Sequence, residues 1–108
     1  MPDPTIKIID DMPENDVVNV TRNGKIIFKS GDNKKYYIDF HSDDRGNITG
    51  DKLPLEIPAN GSAATLNISA NAVKKTFIYK ILDAKKNQVW PEVTTGVGDV
   101  PPQVIVKD

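Results

Sequence analysis

One stretch concentrates the groups that could do chemistry. HSDDRGNITGD, residues 41–51, holds the only histidine of the chain, three aspartates and two glycines. Acids around glycine suggest a calcium loop, which needs Asp at its first position, acids or amides at the third and fifth, Gly at the sixth and Glu at the twelfth. With Gly46 at the sixth position, His41 falls at the first, Asp43 at the third, Arg45 at the fifth and Lys52 at the twelfth. Two cations at ligand positions defeat that pattern. A transition-metal site ordinarily takes two or more His or Cys, and this chain has one His and no Cys. No metal and no cofactor are therefore expected; an irregular site, were one present, would draw on Asp39, His41, Asp43 and Asp51. The simpler expectation is a polar strand end running into an acidic turn, since Asp, Asn and Gly are turn formers.

Catalytic arrangements fare no better. Ser42, His41 and Asp43 contain the elements of a nucleophile, base and orienting acid. Neighbours on a strand point to opposite faces, so adjacent Ser and His cannot form such a unit. The pairs Asp10–Asp11 and Asp43–Asp44 are likewise adjacent on polar segments, whereas carboxyl pairs that cleave glycosides need a defined separation and a cleft. Gly96 and Gly98 in TTGVGD lack the following Lys-Ser/Thr of a phosphate-binding loop. The expectation is a non-enzyme.

The elements that must position these groups read as strands. Apolar residues alternate with polar ones along most of the chain, with turn residues at intervals typical of sandwiches and barrels. TIKIID (5–10) is a first strand, and Met12 to Asn15 break it. Asp16–Arg22 and Lys25–Lys29 flank Asn23-Gly24, a hairpin signal. A three-residue loop, Arg22-Asn23-Gly24, would pair Val20 with Ile26 and Val18 with Phe28, with Gly24 left-handed. KKYYIDFH (34–41) sets Tyr36, Ile38 and Phe40 on one face and Tyr37, Asp39 and His41 on the other. LPLEIP (53–58) turns Leu53, Leu55 and Ile57 inward, and its two prolines mark an edge. SAATLNIS follows, then SANAVKK (69–75), the one place where a helical turn is expected. TFIYKIL (76–82) is apolar on both faces, as a central strand would be. Gln88-Val89-Trp90 resumes the pattern, residues 92–102 form a long loop, and QVIVKD closes the chain.

The expected architecture is one domain over residues 1–108, an all-β, antiparallel two-sheet sandwich of seven or eight strands, immunoglobulin-like or cupredoxin-like. Fourteen Lys and Arg against fifteen Asp and Glu give a net charge of -1, which recruits neither nucleic acid nor an anionic membrane. The start of the chain carries no signal-peptide pattern. A cytoplasmic protein is expected, or an extracytoplasmic one if the chain is a mature form.

Two kinds of surface remain. Exposed aromatics would suit a carbohydrate, and Tyr37 and Trp90 are the candidates, Trp90 more as a plug at one end of the core. Sandwich edges invite a protein partner or a homo-oligomer, and TIKIID or QVIVKD is the expected pairing edge, because prolines blunt LPLEIP. Four Asn-X-Ser/Thr triplets begin at Asn19, Asn47, Asn60 and Asn67; a polar strand face accounts for them without glycosylation.

LPLEIPANGSAATLNIS, FIYKILDAKKNQVWPEV and DVPPQVIVKD together resemble small bacterial all-β sandwich proteins of the functionally uncharacterised DP-EP type, over residues 53–108. The resemblance implies a cupredoxin-like or immunoglobulin-like fold. It implies no redox role, since a blue-copper centre takes two His and a Cys. The functional expectation is a small non-catalytic protein-interaction or structural module; the alternatives are a carbohydrate-binding module and, further off, a hydrolase built around His41.

Overall fold

The computed structural model describes residues 3–91 and 101–107. Alternation does what it promised for the core. Ile6 and Ile8, Val18 and Val20, Ile26 and Phe28, Tyr36, Ile38 and Phe40, Leu66, Phe77, Tyr79 and Ile81, and Val104 and Val106 are all buried in one cluster. Their intervening neighbours face outward, because successive side chains on a strand alternate faces.

The strands in chain order are β1 (Thr5–Ile9), β2 (Met12–Pro13), β3 (Val17–Thr21), β4 (Lys25–Ser30), β5 (Tyr36–Phe40), β6 (Leu55–Ile57), β7 (Ala64–Asn67), β8 (Thr76–Leu82), β9 (Gln88–Trp90) and β10 (Gln103–Lys107). A single helical turn, α1 (Arg45–Ile48), lies between β5 and β6. The smaller sheet runs β2-β1-β4-β7. The larger runs β3-β10-β8-β5-β6, with β9 alongside the end of β8. β8 is central, as its apolar run suggested, and the proline-flanked β6 is an edge.

Four expectations change. First, the sandwich is mixed: β1 pairs with β4 in parallel, and β10 pairs with β3 in parallel. The described strands number ten, because Met12–Pro13 adds a short pair to β1.

Second, β3 and β4 are not a hairpin but lie in opposite sheets. The turn is closed by the Gly24 N–H donating to Thr21 O at 3.0 Å. It is anchored on the end of β7 by Asn23 N–H to Ile68 O at 3.1 Å and Ile68 N–H to Gly24 O at 2.9 Å. Asn23, with φ 65°, takes the left-handed position, which asparagine tolerates. A Cβ on Gly24 would approach Thr21 O to 2.9 Å, so glycine is needed there for proximity. The apolar faces of β3 and β4 thus meet across the core instead of lying side by side.

Third, TIKIID and QVIVKD are interior strands: β1 sits between β2 and β4, and β10 between β3 and β8. Fourth, the helical turn falls at Arg45–Ile48, not within 69–75, where Ser69 to Ala72 make only a hydrogen-bonded turn. Ile48 explains the difference. It is wholly buried, and one turn of helix lets it reach the core from an otherwise polar segment. Most of the expected loop at 92–102 lies outside the described residues.

Candidate functional site: the outer face and free edge of the larger sheet

The stretch 41–51 is a structural plug. His41 is exposed, with Nδ1 3.6 Å from Asp43 Oδ2. Asp39 is 5% exposed although it points outward. Arg45 covers it with a two-pronged ion pair, Nε to Oδ1 at 3.0 Å and Nη2 to Oδ2. Asp44 pairs with Lys75 at 2.8 Å, and that ammonium also lies 5.0 Å from the centre of the Phe77 ring. Asp51 turns the other way and accepts the Asn67 N–H at 2.7 Å and its side-chain amide at 3.2 Å. Thr49 Oγ1 donates to Asn67 O at 2.6 Å. Asp39, His41, Asp43 and Asp51 therefore do not converge, and among the described residues no group of three or more His, Asp or Glu is gathered for a metal. A blue-copper donor set does not fit either: there is no thiolate, and the single imidazole sits at the surface.

His41 does border a concavity. A cleft of about 520 Å³ on the outer face of the larger sheet is lined by Asp39, His41, Asp44, Ile78, Lys80 and Pro91, among others. Its two carboxylates are already neutralised by Arg45 and Lys75. Among the described residues its lining contains no Ser, Thr or Cys to serve as a nucleophile. Among the described residues the cleft combines exposed Ile78 with polar side chains and no assembled acid–base pair.

Five of the seven aromatic rings, Phe28, Tyr36, Phe40, Phe77 and Tyr79, are fully buried. Tyr37 lies between two ammonium groups, Lys35 at 5.4 Å and Lys86 at 5.2 Å from its ring centre, and its hydroxyl donates to Glu56. Trp90 packs against the core, and its buried indole N–H meets no acceptor among the described residues. All ring–ring contacts among the described residues are in the core. Tyr37 and Trp90 do not form a stacking platform.

The edges differ from one another in a way that alternation could not show. β2 is two residues long and ends in proline. β6 is three residues long, carries Glu56 and has Pro54 and Pro58 at its ends. The end of β7 is covered by Thr49 and Asp51. β9 is three residues long and runs into Pro91. β3 is the exception: VVNVT is five residues with no charge and no proline, and among the described residues it pairs only with β10. Natural edges are ordinarily blunted by one of those devices. Beside it the outer face carries apolar side chains among polar ones. Val17 is opposite Gln103, and Gln103 is opposite Ile78; Val17 and Ile78 are 45% and 51% exposed, with half-buried Ile105 in the next row. Sequence reasoning missed this edge because it placed β3 inside a hairpin; the uncharged VVNVT run was the available signal.

The four Asn-X-Ser/Thr asparagines are exposed. Asn47 donates to Asp43 O, Asn60 accepts from Ser62 N–H, and Asn67 donates to Asp51. Asn19, at the middle of β3, is the exception: no side-chain hydrogen bond engages it among the described residues.

The fold defines a two-sheet, cupredoxin-like β-sandwich. A mutant of amicyanin in its reduced Cu(I) form at pH 4 is structurally similar, with a TM-score of 0.52 over 97% of this chain and 82% of that one, at 12% sequence identity. At that identity the likeness concerns the fold alone. No family model matches the sequence, and no curated protein does.

Proposed function

We propose that this chain is a non-catalytic protein-interaction module that binds through the free edge of β3 and the exposed Val17 and Ile78 beside it. The observation that carries this reading is that β3 alone, among the described edges, lacks charge, proline or cover. An unpaired edge presents a row of backbone donors and acceptors to which a strand can add. The exposed Val17 and Ile78 next to it supply apolar area. The amicyanin-like fold is then a scaffold without its neighbour's copper, since the donors are missing. Kinship with small bacterial sandwich proteins of the DP-EP type is part of this proposal, on residues 53–108.

A photoreactive amino acid at position 17 tests the reading in the cells that make the protein. It should yield a discrete protein adduct, and Asn19→Pro in the same chain should abolish it, because proline removes a ladder donor. Retardation of the purified protein in polysaccharide gels, with no adduct at position 17, would replace the reading with a carbohydrate-binding one.

A further inference from the structure

We propose that the strand which β3 accepts is β3 of a second copy of this chain, antiparallel to it about a two-fold axis through Asn19. The inference rests on the reading of β3 as the binding edge and adds the identity of the occupant.

The residues argue for it. The segment Asp16-Val17-Val18-Asn19-Val20-Thr21-Arg22 is self-complementary about its centre. Turned antiparallel, Asp16 faces the partner's Arg22, Val17 faces the partner's Thr21, Val18 faces the partner's Val20, and Asn19 faces the partner's Asn19. Opposite charges meet at both ends, β-branched residues meet between them, and cross-strand pairs of these kinds are stabilising. Sliding the centre by one residue either way sets a charge against a valine: Asp16 against Val20 in one direction, Arg22 against Val18 in the other.

The backbone agrees. Gln103 N–H donates to Asp16 O at 2.7 Å, so Asp16, and by alternation Val18 and Val20, direct their backbone groups to β10. Val17, Asn19 and Thr21 direct theirs to the free side. The two-fold sets these three opposite Thr21, Asn19 and Val17 of the second copy, a run of hydrogen-bonded pairs with roughly six ladder bonds. The side chains are ready for it. Asp16 has no ion-pair partner among the described residues. Among the described residues Arg22 donates only Nε, to Ala72 O at 2.8 Å, and pairs with no carboxylate. Asn19 is exposed, with no side-chain hydrogen bond among the described residues, where the two amides can bond to each other. An edge this short buries less than the ~1,200 Å² of standard stable interfaces, so the pair is in exchange.

Single cysteines test the register without ambiguity, because the chain has none of its own. In a hydrogen-bonded antiparallel pair the facing Cα atoms are about 5.5 Å apart, within disulfide range. Asn19→Cys should therefore oxidise to a covalent dimer at ~100 µM. Val17→Cys, whose two copies are offset by roughly 14 Å along the strands, should do so at least about 10-fold more slowly. Sedimentation velocity of the wild-type protein between ~1 µM and ~1 mM should show a rising coefficient. Asp16→Arg and Arg22→Asp should each flatten that rise, and the double variant should restore it, with circular dichroism melts confirming that all are folded. Equal oxidation rates for the two cysteine variants, a wild type that stays monomeric to ~1 mM, or no restoration in the double variant would each overturn the proposal. Adducts at position 17 to a different protein, with a monomeric wild type, would overturn self-pairing and leave β3 as the binding edge.

Discussion

Ile48 and His41 lie in the same eleven-residue stretch, and the structure reverses their apparent importance. Replacing Ile48 with alanine removes a side chain with 0% exposure from the cluster that includes Ile68 and Ala72. It also loosens a turn whose carbonyl accepts the Ser69 N–H at 2.9 Å. Ile→Ala in a core costs about 2–5 kcal/mol, set by how far the site can collapse. Ile48 is carried by a single turn of helix rather than a central strand, so partial collapse is available, and a value of about 3 kcal/mol is expected. For a chain of this size that is a fall of roughly 12–15 °C in Tm. Ile48→Val, which removes one methylene, should cost about 1 kcal/mol. His41→Ala removes a side chain that is 70% exposed and should stay within about 0.5 kcal/mol. Urea and thermal unfolding of all three variants at pH 7, followed by circular dichroism, would measure the contrast. A cost below about 1 kcal/mol for Ile48→Ala, or one above about 1.5 kcal/mol for His41→Ala, would refute the reading of this stretch as a plug.

Two further outcomes follow from a buried hydroxyl and a half-buried carboxylate. Among the described residues the buried Tyr79 hydroxyl has no hydrogen-bond partner; burial, and then the Asp16 carboxylate, push its pKa well above the ordinary tyrosine range. An unsatisfied buried hydroxyl costs about 1–3 kcal/mol, so Tyr79→Phe should raise Tm by a few degrees, and a lowered Tm would show that the hydroxyl has a partner in solution. At the other end of the sandwich, Asp32 accepts from the Tyr36 hydroxyl at 2.7 Å and from the Asp10 N–H at 2.8 Å. Partial burial acts to raise its pKa, but hydrogen bonds from Tyr36, the Asp10 and Lys34 N–H groups and Ser30 prevail and hold it below the ordinary 3.8. The stability this adds is fully present above pH 3.8 and is lost as pH falls through the lower folded value. Melts from pH 6 down to pH 2 should show that acid loss, and Asp32→Asn should flatten it; an unchanged slope in Asp32→Asn would count against it.

Period-two alternation in the sequence determined which side chains are inside. Tyr36, Ile38 and Phe40 against Tyr37, Asp39 and His41 could be sorted from the chain alone, because the two faces of a strand are fixed by covalent geometry. Composition also determined that a blue-copper donor set is missing, since a thiolate cannot be supplied by packing. Tertiary structure decided who lies beside whom. Val18, Val20, Ile26 and Phe28 point into the core whether the turn at Asn23-Gly24 closes a hairpin or carries the chain between sheets, so local pattern could not separate the two. That choice decided the rest: it freed β3 as an edge, made β10 interior, and set Val17 in line with Ile78 across Gln103. The roles of Asp39 and Asp51 were decided in the same way, because an acid's partner, Arg45 in one case and the Asn67 amide groups in the other, is fixed only when distant segments meet.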